Sequence, residues 1–217
     1  MPRSTHVLAS FDPDAALAHL RAADAKLAAL IERVGAYAIE MQPAASLFEA
    51  LLRSIVYQQL HGRAAASIHA RVLAVLRAHG GIEPASAMKA GETALRAAGL
   101  SRAKYAALCD LAEKCTNGTV PTLAIAAQLS DEALIERLTA VRGVGPWTVH
   151  MLLIFTLGRP DVMPTGDFAI RLAFKKLYRK RAEPTPAEIL AHARRWTPYR
   201  SVASWYLWRS LETPLAL

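Results

Sequence analysis

An all-α fold is predicted by three features of this 217-residue sequence: Ala, Leu, Arg and Glu dominate, runs of alternating β-branched residues are absent, and apolar residues recur at helical spacing. A 53% hydrophobic composition argues for a sizeable core, and the length suits one domain or two closely packed subdomains. No internal repeat, low-complexity segment or long linker interrupts the chain.

Asp12-Pro13 opens the first helix, because Asp caps free N–H groups and proline tolerates the first helical position. Leu17, Leu20, Leu27, Leu30 and Ile31 supply its apolar positions, and a break near Ala23-Asp24 divides the region into two helices. Ser46 and Glu49 form a Ser-x-x-Glu capping pattern before Leu47, Leu51 and Ile55, a helix that runs into Tyr57-Gln58-Gln59-Leu60-His61-Gly62. A longer helix from about Arg63 to His79 ends at Gly80-Gly81. Shorter helical stretches are expected at Gly91 to Ala98, Arg102 to Cys115 and Leu123 to Leu129, and Ser130-Asp131-Glu132 begins another strong helix.

Lys and Arg number 26 against 18 acidic residues, a net charge of +8 that favours a polyanionic partner, nucleic acid first. Charge alone is equally compatible with a generally basic soluble protein. Cys109 and Cys115, six apart, fall on different helix faces, which supports neither a disulfide framework nor a cysteine metal site and suits a reducing compartment. The N-terminus lacks the pattern of a secretory leader, and the longest strongly apolar stretch, Met151 to Leu157, is too short to span a bilayer, so a soluble protein without membrane association is expected.

The helix from Asp131 to about Ala140 meets Val141-Arg142-Gly143-Val144-Gly145-Pro146-Trp147, and Thr148 to Thr156 is again helical in character. Two glycines one residue apart allow a turn with positive φ and leave backbone uncovered, so a phosphate can approach closely. Pro146 fits the first position of the second helix, whose N–H groups and dipole favour an anion. Taken alone, Gly-Val-Gly-Pro is equally a tight turn between helices.

Four ordered blocks carry a more specific signal: Leu138 through Thr148, Gly158-Arg-Pro-Asp161, Pro164-Thr-Gly-Asp167 and Arg195 through Ser201. In these blocks the sequence resembles the helix-hairpin-helix (HhH-GPD) DNA glycosylase superfamily, in its alkylation-repair branch, over roughly Ser46 to Leu211. The resemblance implies two helical subdomains flanking a DNA-binding cleft, with residues 46–129 forming a bundle that carries a wedge loop. Residues 130–217, with the N-terminal helices, would carry the hairpin and the catalytic Asp. It implies base-excision repair by flipping alkylated purines such as 3-methyladenine or 7-methylguanine out of the duplex.

Asp167 matches the family's catalytic aspartate. An ionised carboxylate beside C1′ stabilises the positive charge that develops on the sugar as an N-glycosidic bond breaks, and it can orient the attacking water. Asp167 also stands where a cap would, before the stripe Ile170, Phe174, Leu177 and Tyr178, and one residue can serve both roles. Bifunctional members place a nucleophilic lysine at the second position after the last hairpin glycine, where this sequence has Trp147; an indole cannot form a Schiff base, so hydrolysis without a lyase step is expected. Trp147 can stack on a flipped, positively charged base, or simply pack in a core. Tyr57, Met151, Phe168, Tyr199 and Trp205 are further base-pocket candidates, several of them equally suited to core packing.

DNA contact is expected from Gly143, Val144, Gly145 and Thr148 at the hairpin. In the wedge loop, Gln59 is the first choice for filling the gap left by the flipped base, Leu60 the second, and His61 a minor-groove contact. The plainer reading has Gln58 and Gln59 at a helix end and His61 as a solvated turn residue. Arg171, Lys175 and Arg179 form a basic stripe that is either a phosphate contact or a solvated face. No metal site is expected, since His61, His69 and His150 lack ligand spacing. The resemblance allows a monovalent cation on hairpin carbonyls, while the absence of cysteines beyond Cys115 excludes an iron-sulfur cluster. A monomer is expected, located in the cytoplasm or nucleoid of a bacterium or the nucleus of a eukaryote. The competing reading is a noncatalytic DNA-binding module that retains the hairpin.

Overall fold

The computed structural model describes residues 11–212, and within them the chain forms helices and turns without a strand. In chain order the helices are α1 (Pro13–Ala23), α2 (Ala25–Val34), α3 (Leu47–Tyr57), α4 (Gly62–Ala78), α5 (Pro84–Ala97) and α6 (Arg102–Thr116). They continue as α7 (Leu123–Gln128), α8 (Asp131–Thr139), α9 (Pro146–Phe155), α10 (Phe168–Leu177), α11 (Pro186–Ala193), a 3-10 turn (Arg194–Trp196) and α12 (Arg200–Glu212). None of the described helices is long and apolar enough to cross a membrane. The reading of a missing secretory leader concerns residues 1–10, outside the described residues.

Side-chain caps set most helix starts. Asp12, Ser46, Ser101, Thr122, Ser130, Asp167 and Thr185 each accept a hydrogen bond from a first-turn N–H, satisfying donors that have no intrahelical partner. At α3 the expected capping box is half displaced: Ser46 Oγ accepts from Glu49 N–H (3.1 Å), but the Glu49 carboxylate accepts from Ala45 N–H (2.9 Å). The helix expected from Gly91 instead begins at Pro84, and Gly91 (φ +71°) is a kink inside it, since glycine tolerates the left-handed conformation that breaks the run. The chain beyond Arg181 adds α11, whose Thr185-Pro-Ala-Glu188 start forms a complete capping box, and α12.

The chain divides into two compact units, Met1–Gln42 with Leu153–Leu217, and Pro43–Leu152. This corrects the expected boundary at 129/130, because α8 and the turn after it are bound into the 43–152 unit. Asp110 Oδ2 on α6 accepts from Arg142 N–H (2.7 Å), and Gln58 Nε2 donates to Gly143 O (2.8 Å). That unit buries Leu51, Leu52, Ile55, Val72, Leu76, Leu95, Leu108, Leu111, Leu134, Leu138 and Val149.

The other unit packs Leu20, Leu27, Leu30 and Ile31 against Ile170, Phe174, Ile189, Trp196, Val202 and Tyr206. Asp24 forms the break between α1 and α2. Its Oδ1 caps α2 by accepting from Lys26 and Leu27 N–H (3.0 and 3.1 Å). Its Oδ2 accepts from Tyr178 OH (2.7 Å), His192 Nε2 (2.8 Å) and Trp196 Nε1 (3.3 Å). Burial works to raise the Asp24 pKa, but the hydrogen bonds from Tyr178, His192, Leu27 and Trp196 outweigh it and hold the carboxyl below its ordinary value.

Asp24→Ala removes a cap and strands three donors, so it should destabilise the protein by about 3 kcal/mol, read as a lower urea midpoint. Burial is the leading cause lowering the pKa of His69, His150 and His192. The unfolded chain therefore takes up these protons first, and wild-type stability should fall as pH drops below about 6.5, with the Asp24 contribution lost further down, below about 4. A flat stability profile between pH 8 and pH 5.5 would contradict this.

Candidate nucleic-acid interface and carboxylate site

In the 43–152 unit, α8 and α9 enclose a short turn. Gly143 takes φ +78°, which a side chain would strain, and Val144 N–H closes the turn on Val141 O (3.0 Å). Gly145 has a different reason to be glycine: a Cβ there would meet nothing within 4 Å, so the missing side chain leaves room on the outside of the turn. The structure changes the roles of Val144 and Thr148: the Val144 N–H is spent inside the turn and both side chains are buried, so both shape the hairpin, and the half-exposed Gly145 at the α9 N-terminus is the part of the turn open to an anion. Pro146 brings no N–H to that first turn.

Asp110 anchors the turn through Arg142 N–H and is paired with Lys114. Burial alone would raise its pKa, but the bonds from Lys114 and Arg142 prevail and lower it, keeping the anchor charged. On α9, Trp147 is 48% exposed, and Met151, four residues on, shares its helix face and is half-buried.

The loop after α3 belongs to the same unit. Gln58 ends α3, Gln59 takes φ +57°, Leu60 N–H reaches Tyr57 O (3.4 Å), and His61 precedes α4 without capping it through its side chain. Gln59, Leu60 and His61 are exposed. Tyr57 is half-buried, edge-on to His69 (5.8 Å) and under the Arg53 guanidinium (5.0 Å).

In the other unit Asp167 caps α10. Its Oδ1 accepts from Ile170 N–H (2.9 Å) and Trp208 Nε1 (3.2 Å), so two donors from separate helices fix the carboxylate. Trp208 is stacked on Phe155 (5.6 Å). The turn leading into Asp167 is held by Thr165 N–H on Met163 O, Asp167 N–H on Pro164 O, and Arg171 Nη1 on Gly166 O (3.1 Å). Arg171 also pairs with Glu183 (2.7 Å), which removes it from the expected basic stripe of Arg171, Lys175 and Arg179 and makes it a brace of the Asp167 turn.

Further back, α12 grips the preceding loop. Arg200 forms a two-pronged pair with Asp161 (2.7 and 2.9 Å), Ser201 Oγ donates to Arg159 O (2.6 Å), and Val162 N–H donates to Ser201 Oγ (2.9 Å).

Phe168, beside Asp167, is 64% exposed. Tyr199 and Trp205 correct the aromatic assignment. Tyr199 packs on Phe11 (5.8 Å) and His19 (5.6 Å), and the buried Trp205 lies against Tyr37 (5.1 Å) and Tyr206 (4.8 Å) with Arg209 over its ring. Both side chains serve the core of the unit rather than a ligand. Trp208, Gln58, Lys104 and Asp110 were not marked by the sequence for the contacts they make. Their partners are 32 or more residues away, and only the indole of Trp208 advertised a donor seeking an acceptor. Among the described residues no group of three or more His, Cys, Asp or Glu could hold a metal ion.

Residues 52–199 match the model of the HhH-GPD superfamily base excision DNA repair protein family. DNA-3-methyladenine glycosylase 1 of Schizosaccharomyces pombe is 38% identical over 197 residues, covering 88% of this chain and 85% of that protein. The solved structure of an S. pombe 3-methyladenine DNA glycosylase in complex with abasic DNA aligns with a TM-score of 0.80 at 36% identity, over 92% of this chain and 97% of that one. A DNA-3-methyladenine glycosidase of Bacillus halodurans aligns with a TM-score of 0.82 at 32% identity, over 91% and 89%.

Proposed function

The chain belongs to the HhH-GPD superfamily of base excision DNA repair proteins, and from that membership we propose that it is a monofunctional DNA glycosylase acting on alkylated purines, with Asp167 as its catalytic carboxylate. Its partner is DNA. The observation that carries the reading is the carboxylate of Asp167, pinned by Ile170 N–H and Trp208 Nε1 at the start of α10.

The reaction breaks the bond between C1′ and the base nitrogen, whose electron pair leaves with the base. Water adds its oxygen to C1′ and gives up a proton, leaving an abasic site. Positive charge grows on the sugar along this path, and a fixed carboxylate stabilises it without having to reorganise as the bond breaks. An N3- or N7-alkylated purine already carries positive charge and leaves readily, so the protein needs recognition and a carboxylate more than an acid to protonate the base. The exposed indole of Trp147 suits stacking on such a cationic ring.

Phosphate binds at Gly145, where α9 presents its positive end. The loop tip, Gln59 with Leu60, fills the gap left by the flipped base, and His61 contacts the groove beside it. Val141 O and Gly143 O each accept one hydrogen bond, from Val144 and Gln58, and each keeps a second lone pair. The hairpin therefore fits a monovalent cation on these carbonyls, which would add positive charge near the phosphate. The chain acts as a monomer in this reading.

Purified wild type should release free base from duplexes containing 7-methylguanine or 3-methyladenine, and Asp167→Asn should slow release by about a hundredfold or more. Wild type that binds DNA but frees no base from any lesion tested would leave a noncatalytic binding module instead. Trp208→Phe keeps the ring on Phe155 but loses the N–H, so single-turnover release should fall by about tenfold while affinity holds. Borohydride should not trap wild type on its substrate; efficient trapping would reveal an amine nucleophile and end the hydrolytic assignment. Gly145→Val has room in the fold, so it should leave the melting temperature unchanged and raise the Kd for duplex DNA about tenfold; unchanged Kd would remove the hairpin from the interface.

A further inference from the structure

Helix α6 holds the hairpin and the loop after α3 at two points. Lys104 and Asp110 are six residues apart, about 9 Å along the helix axis. Lys104 Nζ donates to Val56 O (2.6 Å) and Gln58 O (2.8 Å), the carbonyls that end α3. Asp110 accepts from Arg142 N–H at the start of the hairpin turn. The third side is closed directly, by Gln58 Nε2 donating to Gly143 O (2.8 Å). Three chain segments are thus tied by side-chain to backbone bonds that no helix needs for its own ladder.

What this triangle braces is a strained tip. Gln59, next to Gln58, holds φ +57°, a conformation L-residues with side chains disfavour, and it is exposed together with Leu60. The Lys104 ammonium is drawn from water to cap the negative end of α3, and burial lowers its pKa. A strained, exposed tip supported by a partly buried cation and by the neighbouring turn needs its supports to keep its shape.

We propose that Gln58 is a positioning residue that couples phosphate binding at Gly145, on the turn that Gly143 begins, to insertion of the Gln59-Leu60 tip into DNA, with α6 setting the spacing through Lys104 and Asp110. The inference rests on the glycosylase reading for what the insertion achieves. A phosphate seated on the turn fixes Gly143 O; that carbonyl fixes the Gln58 amide; and the Gln58 backbone, held by Lys104, presents the tip. Gln58 touches neither base nor sugar in this scheme. Its loss should slow unstacking without weakening the first encounter with DNA.

The test uses the full chain and a duplex with 2-aminopurine beside the lesion, whose fluorescence rises when the neighbouring base leaves the stack. Gln58→Met, of similar length but without a donor, should slow both the fluorescence rise and single-turnover base release about tenfold, while the Kd for undamaged duplex stays within about twofold of wild type. Lys104→Met should shift the same two rates in the same direction, and it carries the test should Gln58→Met fold poorly. Unchanged rates in both variants would overturn the proposal. So would a rise in Kd matching the fall in rate, which would mean that the bond merely builds the hairpin. Wild type that gives the fluorescence rise yet frees no base would sink the glycosylase reading alone, leaving the coupling legible in the fluorescence of the variants.

Discussion

Helix α10 begins on a carboxylate, and much of its unit is arranged around that start. Asp167 must keep one oxygen on Ile170 N–H for the helix to be capped and accept the Trp208 indole N–H on the same atom. Electrostatic catalysis gains from a charge that does not move as the reaction proceeds, so a carboxylate that is already a structural cap arrives preorganised. The supports follow in order. Arg171 holds Gly166 O, Arg200 and Ser201 hold residues 159–162, and α12, which supplies both of these and Trp208, packs its buried face on α2 and α10. In the proposed reading, cap and catalytic carboxylate are therefore one requirement met once.

The 43–152 unit answers a different need, an approachable backbone. Gly143 serves geometry and Gly145 serves access, and the turn bearing them is tied to α6 through Asp110 and to the loop after α3 through Gln58. Charge assists at each tie: Lys104 sits on carbonyls, Asp110 on an N–H. In the proposed reading, the net charge of +8 serves general attraction to DNA, while grip comes from uncharged backbone at the hairpin.

Local chemistry made much of this legible in the sequence. Caps are short-range, so Asp12, the break at Asp24, Ser46, Ser130 and Asp167 could be read directly, as could the helix-turn-helix around Gly143 and Gly145. Gly91 misled because a glycine that ends one run and a glycine that kinks another look alike without coordinates. The Thr185-to-Glu188 box is equally local, a Thr-x-x-Glu pattern ahead of apolar residues. Aromatic roles were least legible: Trp205 and Trp208 are three residues apart on one helix, yet one packs among Tyr37 and Tyr206 and the other reaches Asp167. Gln58 posed the same difficulty, since its partner lies 85 residues away and nothing near it in sequence points there.

In the proposed reaction Asp167 works by its charge on a cationic sugar. The most direct measurement compares Kd for two duplexes, one with a positively charged pyrrolidine in place of the abasic sugar and one with neutral tetrahydrofuran. Wild type should prefer the cationic site strongly, and Asp167→Asn should lose most of that preference while binding the neutral site as before. An equal preference in the two proteins would contradict the account.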